Sequence, residues 1–295
     1  MEALLPEPLP AADYSDRKGF DDQFLGLGVP IPALNGAETT LLPYTNFSVL
    51  LRGDKRLAAV TALGIDGAKL MLLEDFDASW RLDPRLPDEG QTGAKLYVNN
   101  DIDRGHLARR ASAVWGDDEA QAVQANEDTY HYTNAAPQAA KFNQSRELWL
   151  GLETYLLDNA ADNGRRLIVF TGPIFAEDNP SYRGTDIPLR YFKVAAFLVD
   201  GELASTGYVV DQTPLIEDLP DVGRRATDDA PPLGPFRTFQ VPIRDIATLT
   251  GLDLAQLIEV DRMPIARTLQ GAPVTSAWRE IVNEDCLDLD FDLKG

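Results

Sequence analysis

Two apolar-rich runs, Tyr191–Val199 and Glu202–Val210, flank the dipeptide Asp200-Gly201. That arrangement admits little besides a β-hairpin, because Asp-Gly supplies the left-handed backbone that a two-residue turn requires. Other strand signals agree with it. Leu57–Ile65 (LAAVTALGI) is a short apolar run closed by the turn dipeptide Asp66-Gly67. Leu167–Phe170 ends in Thr171-Gly172-Pro173, and Thr238–Ile243 (TFQVPI) ends before a helical stretch. Tyr130 and Tyr132 lead a further strand, which Pro137 ends. One helix is clear: from Ser145 onward Leu148, Trp149, Leu152, Leu156 and Leu157 recur at helical spacing, and Asp162-Asn163-Gly164 is a stop signal. Hairpins outnumber alternating strand–helix units, so the class is α+β with a mainly antiparallel sheet.

Around this centre the chain divides into three parts. Residues 1–43 mix Pro, Gly and charge without a period and read as an N-terminal extended arm packed on the surface. Residues 44–265 carry the strand and helix signals. Residues 266–295 form an acidic tail in which Leu287, Leu289, Phe291 and Leu293 alternate with Asp288, Asp290 and Asp292. That period of two describes a half-buried strand on the same domain. An edge strand with its aspartates in water, pairing across a homodimer, and masking of a basic groove all fit the pattern. The Pro-rich stretch Leu215–Pro235 reads as a long surface loop, with Arg224-Arg225 either solvated or in contact with phosphate.

Composition narrows the chemistry. The 295 residues can bury a sizeable core without disulfides. The single cysteine, Cys286, cannot form an intrachain bridge and fits a reducing compartment. The opening MEALLPEPLPAAD lacks the basic and apolar regions of a signal peptide, and no run reaches the length of a membrane span. A cytoplasmic location without a membrane partner is therefore expected. Lys and Arg total 27 against 47 Asp and Glu, a formal charge of −20. Phosphate backbones are held by Lys and Arg, so this balance argues against a tight nucleic-acid binder. It leaves room for an enzyme with a local basic groove. With only two histidines, a zinc site of several histidines is excluded, and a catalytic metal would be a hard ion such as Mg²⁺ on oxygen ligands.

The string Asp103-Arg104-Gly105-His106 joins three useful properties. Glycine lets the backbone turn tightly and approach another chain closely, so that the next side chain can enter a cleft. Arginine offers a planar fork for phosphate oxygens, and histidine titrates near neutral pH. Arg104, Arg109 and Arg110 crowd into seven positions, as a phosphate-tracking patch or as a solvated surface. Downstream lie Thr133-Asn134-Ala135-Ala136-Pro137-Gln138, then Phe142-Asn143-Gln144 and Trp149-Leu150-Gly151-Leu152-Glu153. Asn143, at the mouth of the helix, suits an N-cap or a ligand to a hard metal ion. His131 reads as a structural, hydrogen-bonded histidine, and Trp149 as core.

The ordered strings DRGH, TNxxPQ, FNQ and WLGLE, followed by Phe170-Thr171-Gly172-Pro173, Tyr182-Arg183-Gly184, Ile187-Pro188 and Lys193-Val194, resemble the DNA/RNA non-specific endonucleases. These are His-Me finger (ββα-metal) nucleases, a family that includes mitochondrial endonuclease G. The resemblance runs from about Tyr44 to about Val260 and makes residues 44–265 a nuclease domain. It implies a central antiparallel sheet flanked by helices, with a ββα-metal element presenting base and metal ligand together. His106 would be the general base. Asn143 would be the direct ligand of Mg²⁺, for which Mn²⁺ can substitute, and Glu153 would hold a water of that ion's shell. Asn134 would help position the site, Arg104 would support phosphate, and Asp103 would orient the loop. The gap from Asn143 to Glu153 is about two residues longer than in familiar members, a swing of about 200° on a helix, which makes Glu147 the alternative acid. Arg81 and Arg85 are both candidates for an upstream arginine that contacts substrate. The implied activity is sequence-non-specific cleavage of DNA and RNA leaving 5′-phosphate ends, under restraint by an inhibitor or immunity protein. A narrower phosphodiesterase or ribonuclease and a catalytically silent interaction module remain as alternatives.

Overall fold

A computed structural model describes residues 14–73, 78–139, 157, 160, 164–213, 237–263 and 278–281. The strands in chain order are β1 (Thr39–Pro43), β2 (Phe47–Arg52), β3 (Leu57–Asp66), β4 (Ile102–His106), β5 (Ala135–Ala139), β6 (Arg166–Ile174), β7 (Ser181–Tyr182), β8 (Thr185–Asp186), β9 (Arg190–Val199), β10 (Glu202–Asp211), β11 (Arg237–Val241) and β12 (Arg279–Ile281). Eight of them make one sheet in the order β1-β2-β3-β6-β9-β10-β11-β12. Every neighbouring pair in it is antiparallel.

The β9–β10 hairpin closes through Asp200 at φ 53° and Gly201 at φ 84°, the paired left-handed residues of a tight hairpin turn. The sheet is buried on both faces, which explains runs that are apolar rather than alternating. Within β9, Tyr191, Ala195 and Phe197 join one core while Phe192, Val194 and Ala196 join the other. The second core is covered by Ile243 and Ile246 of the helix Ile243–Thr250 and by Phe24, Leu25 and Val29. The first core receives Leu107, Ala108 and Ala136, which flank or belong to the separate β4–β5 pair. Tyr191 Oη donates to the Pro137 carbonyl at 2.7 Å, and Gln212 Nε2 donates to the same oxygen at 3.1 Å. Strands β9 and β10 thus tether β5 to the sheet.

Three expectations need correction. Tyr132–Asn134 forms a short 3-10 turn, and the strand is Ala135–Ala139 with Pro137 inside it. Proline is tolerated there because the β4–β5 ribbon has open edges, so its missing N–H breaks no sheet interior. Second, the arm does not end as an arm at residue 43: Thr39–Pro43 is a sheet strand paired with β2. Tyr14 lies in the core, its hydroxyl 2.5 Å from His131 Nε2, and Arg17 pairs with buried Asp128 at 3.1 Å. Third, DRGH is extended strand rather than a tight turn. The helix expected from Ser145, the loop Leu215–Pro235 with Arg224 and Arg225, Cys286 and the tail strand lie outside the described residues.

Candidate active site

Strand β4 runs antiparallel to β5, with His106 opposite Ala135, Gly105 opposite Ala136 and Arg104 opposite Pro137. Side chains alternate along a strand, so Arg104 and His106 share one face and Asp103 projects from the other. Gly105 allows a close approach: a Cβ there would stand 2.1 Å from the Gln138 side-chain amide, which would have to swing aside. Of the two uses the sequence offered for this glycine, a tight turn and a close approach, the second is the one seen, with Gln138 lying across the strand.

On the His106 face the side chains form an aromatic row. Tyr97 stacks on Tyr132 with ring centroids 5.9 Å apart, and Tyr132 lies 5.7 Å from Trp80. Trp80 lies 4.7 Å from the His106 imidazole, and Tyr130 meets that imidazole edge-on at 5.1 Å. The Arg104 guanidinium sits 5.5 Å over the Tyr97 ring. The His106 ring as a whole is half-buried, but its Nε2 is shut from solvent and has no hydrogen-bond partner. Burial, with help from the Arg110 charge, pushes its pKa down to about 4. His106 is thus neutral at physiological pH, with a nitrogen able to accept a proton.

The chain after His106 is fixed by Asn134. Its Oδ1 accepts from Ala108 N–H at 2.8 Å, while Nδ2 donates to the carbonyls of Ala108 at 3.1 Å and Thr129 at 2.9 Å. Leu107 N–H donates to the Asn134 carbonyl at 3.0 Å. The buried amide is spent on backbone two residues beyond His106 and latches that segment to the Thr129 carbonyl. Next, Arg110 donates to Asn126 Oδ1 at 2.5 Å, tying the turn Arg110–Ala113 to the helix Glu119–Asp128.

The remaining predicted residues fall in different places. Asp103 is exposed. Arg109 faces the sheet, lining a small cavity with Leu63, Ile65, Val169 and Lys193, and does not share a patch with Arg104. The Arg81 guanidinium donates to the Glu127 carbonyl at 2.9 Å. Arg85 is committed to buried Asp83 at 2.6 Å and to the Pro43 carbonyl at 2.8 Å, and it lies over the rings of Tyr14 and Tyr44. Burial opposes ionisation of Asp83, but hydrogen bonds from Arg85 and Tyr44 outweigh it and hold the carboxyl below its ordinary range. These contacts tie Arg85 into the fold. His131 has Nδ1 2.8 Å from the Asp128 carbonyl and Nε2 beside Tyr14, the structural arrangement expected of it. Asn143, Glu147, Trp149 and Glu153 lie outside the described residues. Among the described residues no three His, Cys, Asp or Glu side chains converge as a metal site, so an ion near His106 would depend on donors outside them. Sequence reasoning missed Trp80 and Tyr130 as neighbours of the base. Trp80 precedes Arg81 in the string already singled out, but only the folded chain brings it to His106.

An antiparallel sheet carrying a two-stranded finger with an Arg-Gly-His end defines a nuclease-like architecture, and comparison with known proteins identifies the class. Residues 31–261 match the family model of the DNA/RNA non-specific endonucleases, and the chain belongs to that family. An uncharacterised protein of Sinorhizobium fredii, y4fB, is 37% identical over 275 residues, covering 84% of this chain and 40% of that protein. Human mitochondrial endonuclease G is 29% identical over 169 residues, covering 53% of this chain and 49% of the relative. The chain thus spans less than half the length of these curated relatives. A solved structure of the EndoG/EndoGI complex superimposes with a TM-score of 0.54 at 18% identity, over 78% of this chain and 89% of that one, which shows a shared fold.

Proposed function

We propose that this protein is a metal-dependent endonuclease that hydrolyses phosphodiester bonds of DNA and RNA without reading sequence, leaving 5′-phosphate ends. The observation that carries the reading is the His106 imidazole, neutral at physiological pH and on the same strand face as Arg104. In the proposal His106 takes the proton of the attacking water. Arg104 holds a phosphate oxygen through its guanidinium. Asn134 keeps the strand end in place through Ala108. Asn143 and Glu153, or Glu147 in its stead, supply the oxygen donors for Mg²⁺ or Mn²⁺ and its water shell. The ion supplies positive charge against the charge that builds up on the phosphate and the leaving 3′ oxygen. Contacts confined to phosphates carry no base information, which makes cleavage sequence-non-specific.

The formal charge of −20 favours a second reading, a phosphodiesterase narrowed to RNA or a small nucleotide. Supercoiled plasmid, single-stranded DNA, RNA and a cyclic dinucleotide offered in parallel separate the two. The broad reading expects cleavage of the first three; cleavage of one substrate alone selects the narrow reading. In either case His106→Ala abolishes turnover with the fold intact, and undiminished cleavage by that variant would sink the assignment of the base. The EndoG neighbour was solved in complex with EndoGI, in work on EndoG inhibition, and restraint by an inhibitor protein belongs to this proposal.

A further inference from the structure

We propose that Trp80 is a positioning residue for the His106 imidazole, the ring surface that fixes the base's orientation where no hydrogen bond among the described residues does so. The proposal rests on the reading of His106 as the base. A catalytic imidazole is ordinarily aimed by a carboxylate or carbonyl on its second nitrogen, as in a triad. His106 Nε2 has no such partner, and the contacts of its ring among the described residues are aromatic. Trp80 lies at 4.7 Å with the rings inclined at 46°, and Tyr130 stands across the imidazole at 88°. Two rings on different sides leave the imidazole little freedom about its side-chain torsions.

Trp80 is itself firmly held. Arg81 N–H donates to the Tyr130 carbonyl at 3.0 Å, and Tyr132 N–H donates to the Arg81 carbonyl at 2.9 Å. This bridge joins the segment before Trp80's neighbours to the loop that carries Tyr130 and the Asn134 latch. On its far side Trp80 packs with Leu82 against the cluster of Leu96, Tyr97, Ile102 and Tyr132 beneath β4. The indole therefore couples the base to the same small core that supports the start of its strand. Its faces are taken up by Tyr132, Tyr130 and His106, which leaves it poorly placed as a stacking platform for a substrate base.

The test uses the full chain and Trp80→Ala, Trp80→Leu and Trp80→Phe. The chain has only two histidines, so the His106 Hε1 and Cε1 resonances are assigned by comparison with His106→Ala. The clamp predicts a ring-current-shifted His106 resonance that moves in Trp80→Ala and Trp80→Leu and largely returns in Trp80→Phe. On plasmid it predicts kcat lower by about 10- to 100-fold in the Ala and Leu variants with KM unchanged, and recovery to within a few-fold in Phe. Should Trp80→Ala fail to fold, the Leu and Phe pair decides. An unmoved His106 resonance overturns the proposal, as does a rise in KM at constant kcat, which would make Trp80 a substrate contact. A wild-type protein without nuclease activity would end the functional reading, while the resonance shift would still judge the clamp.

Discussion

Replacing Asn134 by alanine would leave the Ala108 N–H, the Ala108 carbonyl and the Thr129 carbonyl without their present partners. Each buried group so orphaned costs roughly 1–3 kcal/mol. Asn134→Ala should therefore lower both stability and turnover, by about 2–4 kcal/mol in urea unfolding after partial relaxation. Lost turnover with an unchanged unfolding midpoint would show that Asn134 takes part in the chemistry directly and that the latch is wrong. At this scale much was legible in the sequence. Arg-Gly-His alone reads as readily as a surface turn; His106 and Asn134 stood out because DRGH and TNxxPQ belong to the same ordered family strings. The role of Asn134 was not legible, because its partners are backbone atoms 5 and 26 residues away. Trp80 was hidden for the same reason: its approach to His106 depends on the bridge between Arg81 and His131, a pairing no local pattern announces.

At the scale of elements, the β4–β5 ribbon is the unit that places the base. Gly105→Ala puts a methyl 2.1 Å from the Gln138 amide, so β4 must shift or Gln138 must leave its place across the strand. Displacing the half-exposed Gln138 amide is the cheaper way out, and any shift that remains at residue 105 moves His106 directly. Gly105→Ala should then cut kcat, and Gly105→Ala with Gln138→Ala should recover much of it, since the second change removes the obstructing amide. Equal activity in the two variants would contradict the close-approach account. The long central strands were readable because burial on both faces writes them as continuous apolar runs. The helix Glu119–Asp128 was not, since it turns only the small residues Ala122 and Ala125, with Asn126 and Asp128, into the interior. The strand through Pro137 was misjudged because proline's penalty applies to sheet interiors, whereas this ribbon has two strands.

For the whole molecule, both histidines are neutral, the buried His131 and the half-buried His106 each with its pKa pushed down to about 4, chiefly by desolvation. The unfolded chain takes up their protons first as pH falls through about 6.5. Their contribution to stability is therefore intact above that pH and is lost as pH drops toward 4, by at most about 1.4 kcal/mol per pH unit for each histidine. Carboxyls held below their ordinary range, such as Asp83, add their loss only under more acid conditions. Urea midpoints should already fall between pH 7 and pH 5, before carboxylates titrate; a flat profile there would show that the imidazoles protonate without cost. The acidic surface has a functional counterpart as well. With a formal charge of −20, productive contact with nucleic acid must be local, brief and sensitive to salt.

The central claim is that the His106 face of β4 is a phosphodiesterase centre served by a divalent ion, and plasmid cleavage tests it most directly. Purified protein incubated with supercoiled plasmid should nick and then linearise it in Mg²⁺. EDTA should stop the reaction, restored Mg²⁺ or Mn²⁺ should revive it, and His106→Ala should be inert under all of these conditions. Plasmid left intact by the wild-type protein in both metals, or cut equally well in EDTA, would contradict the account.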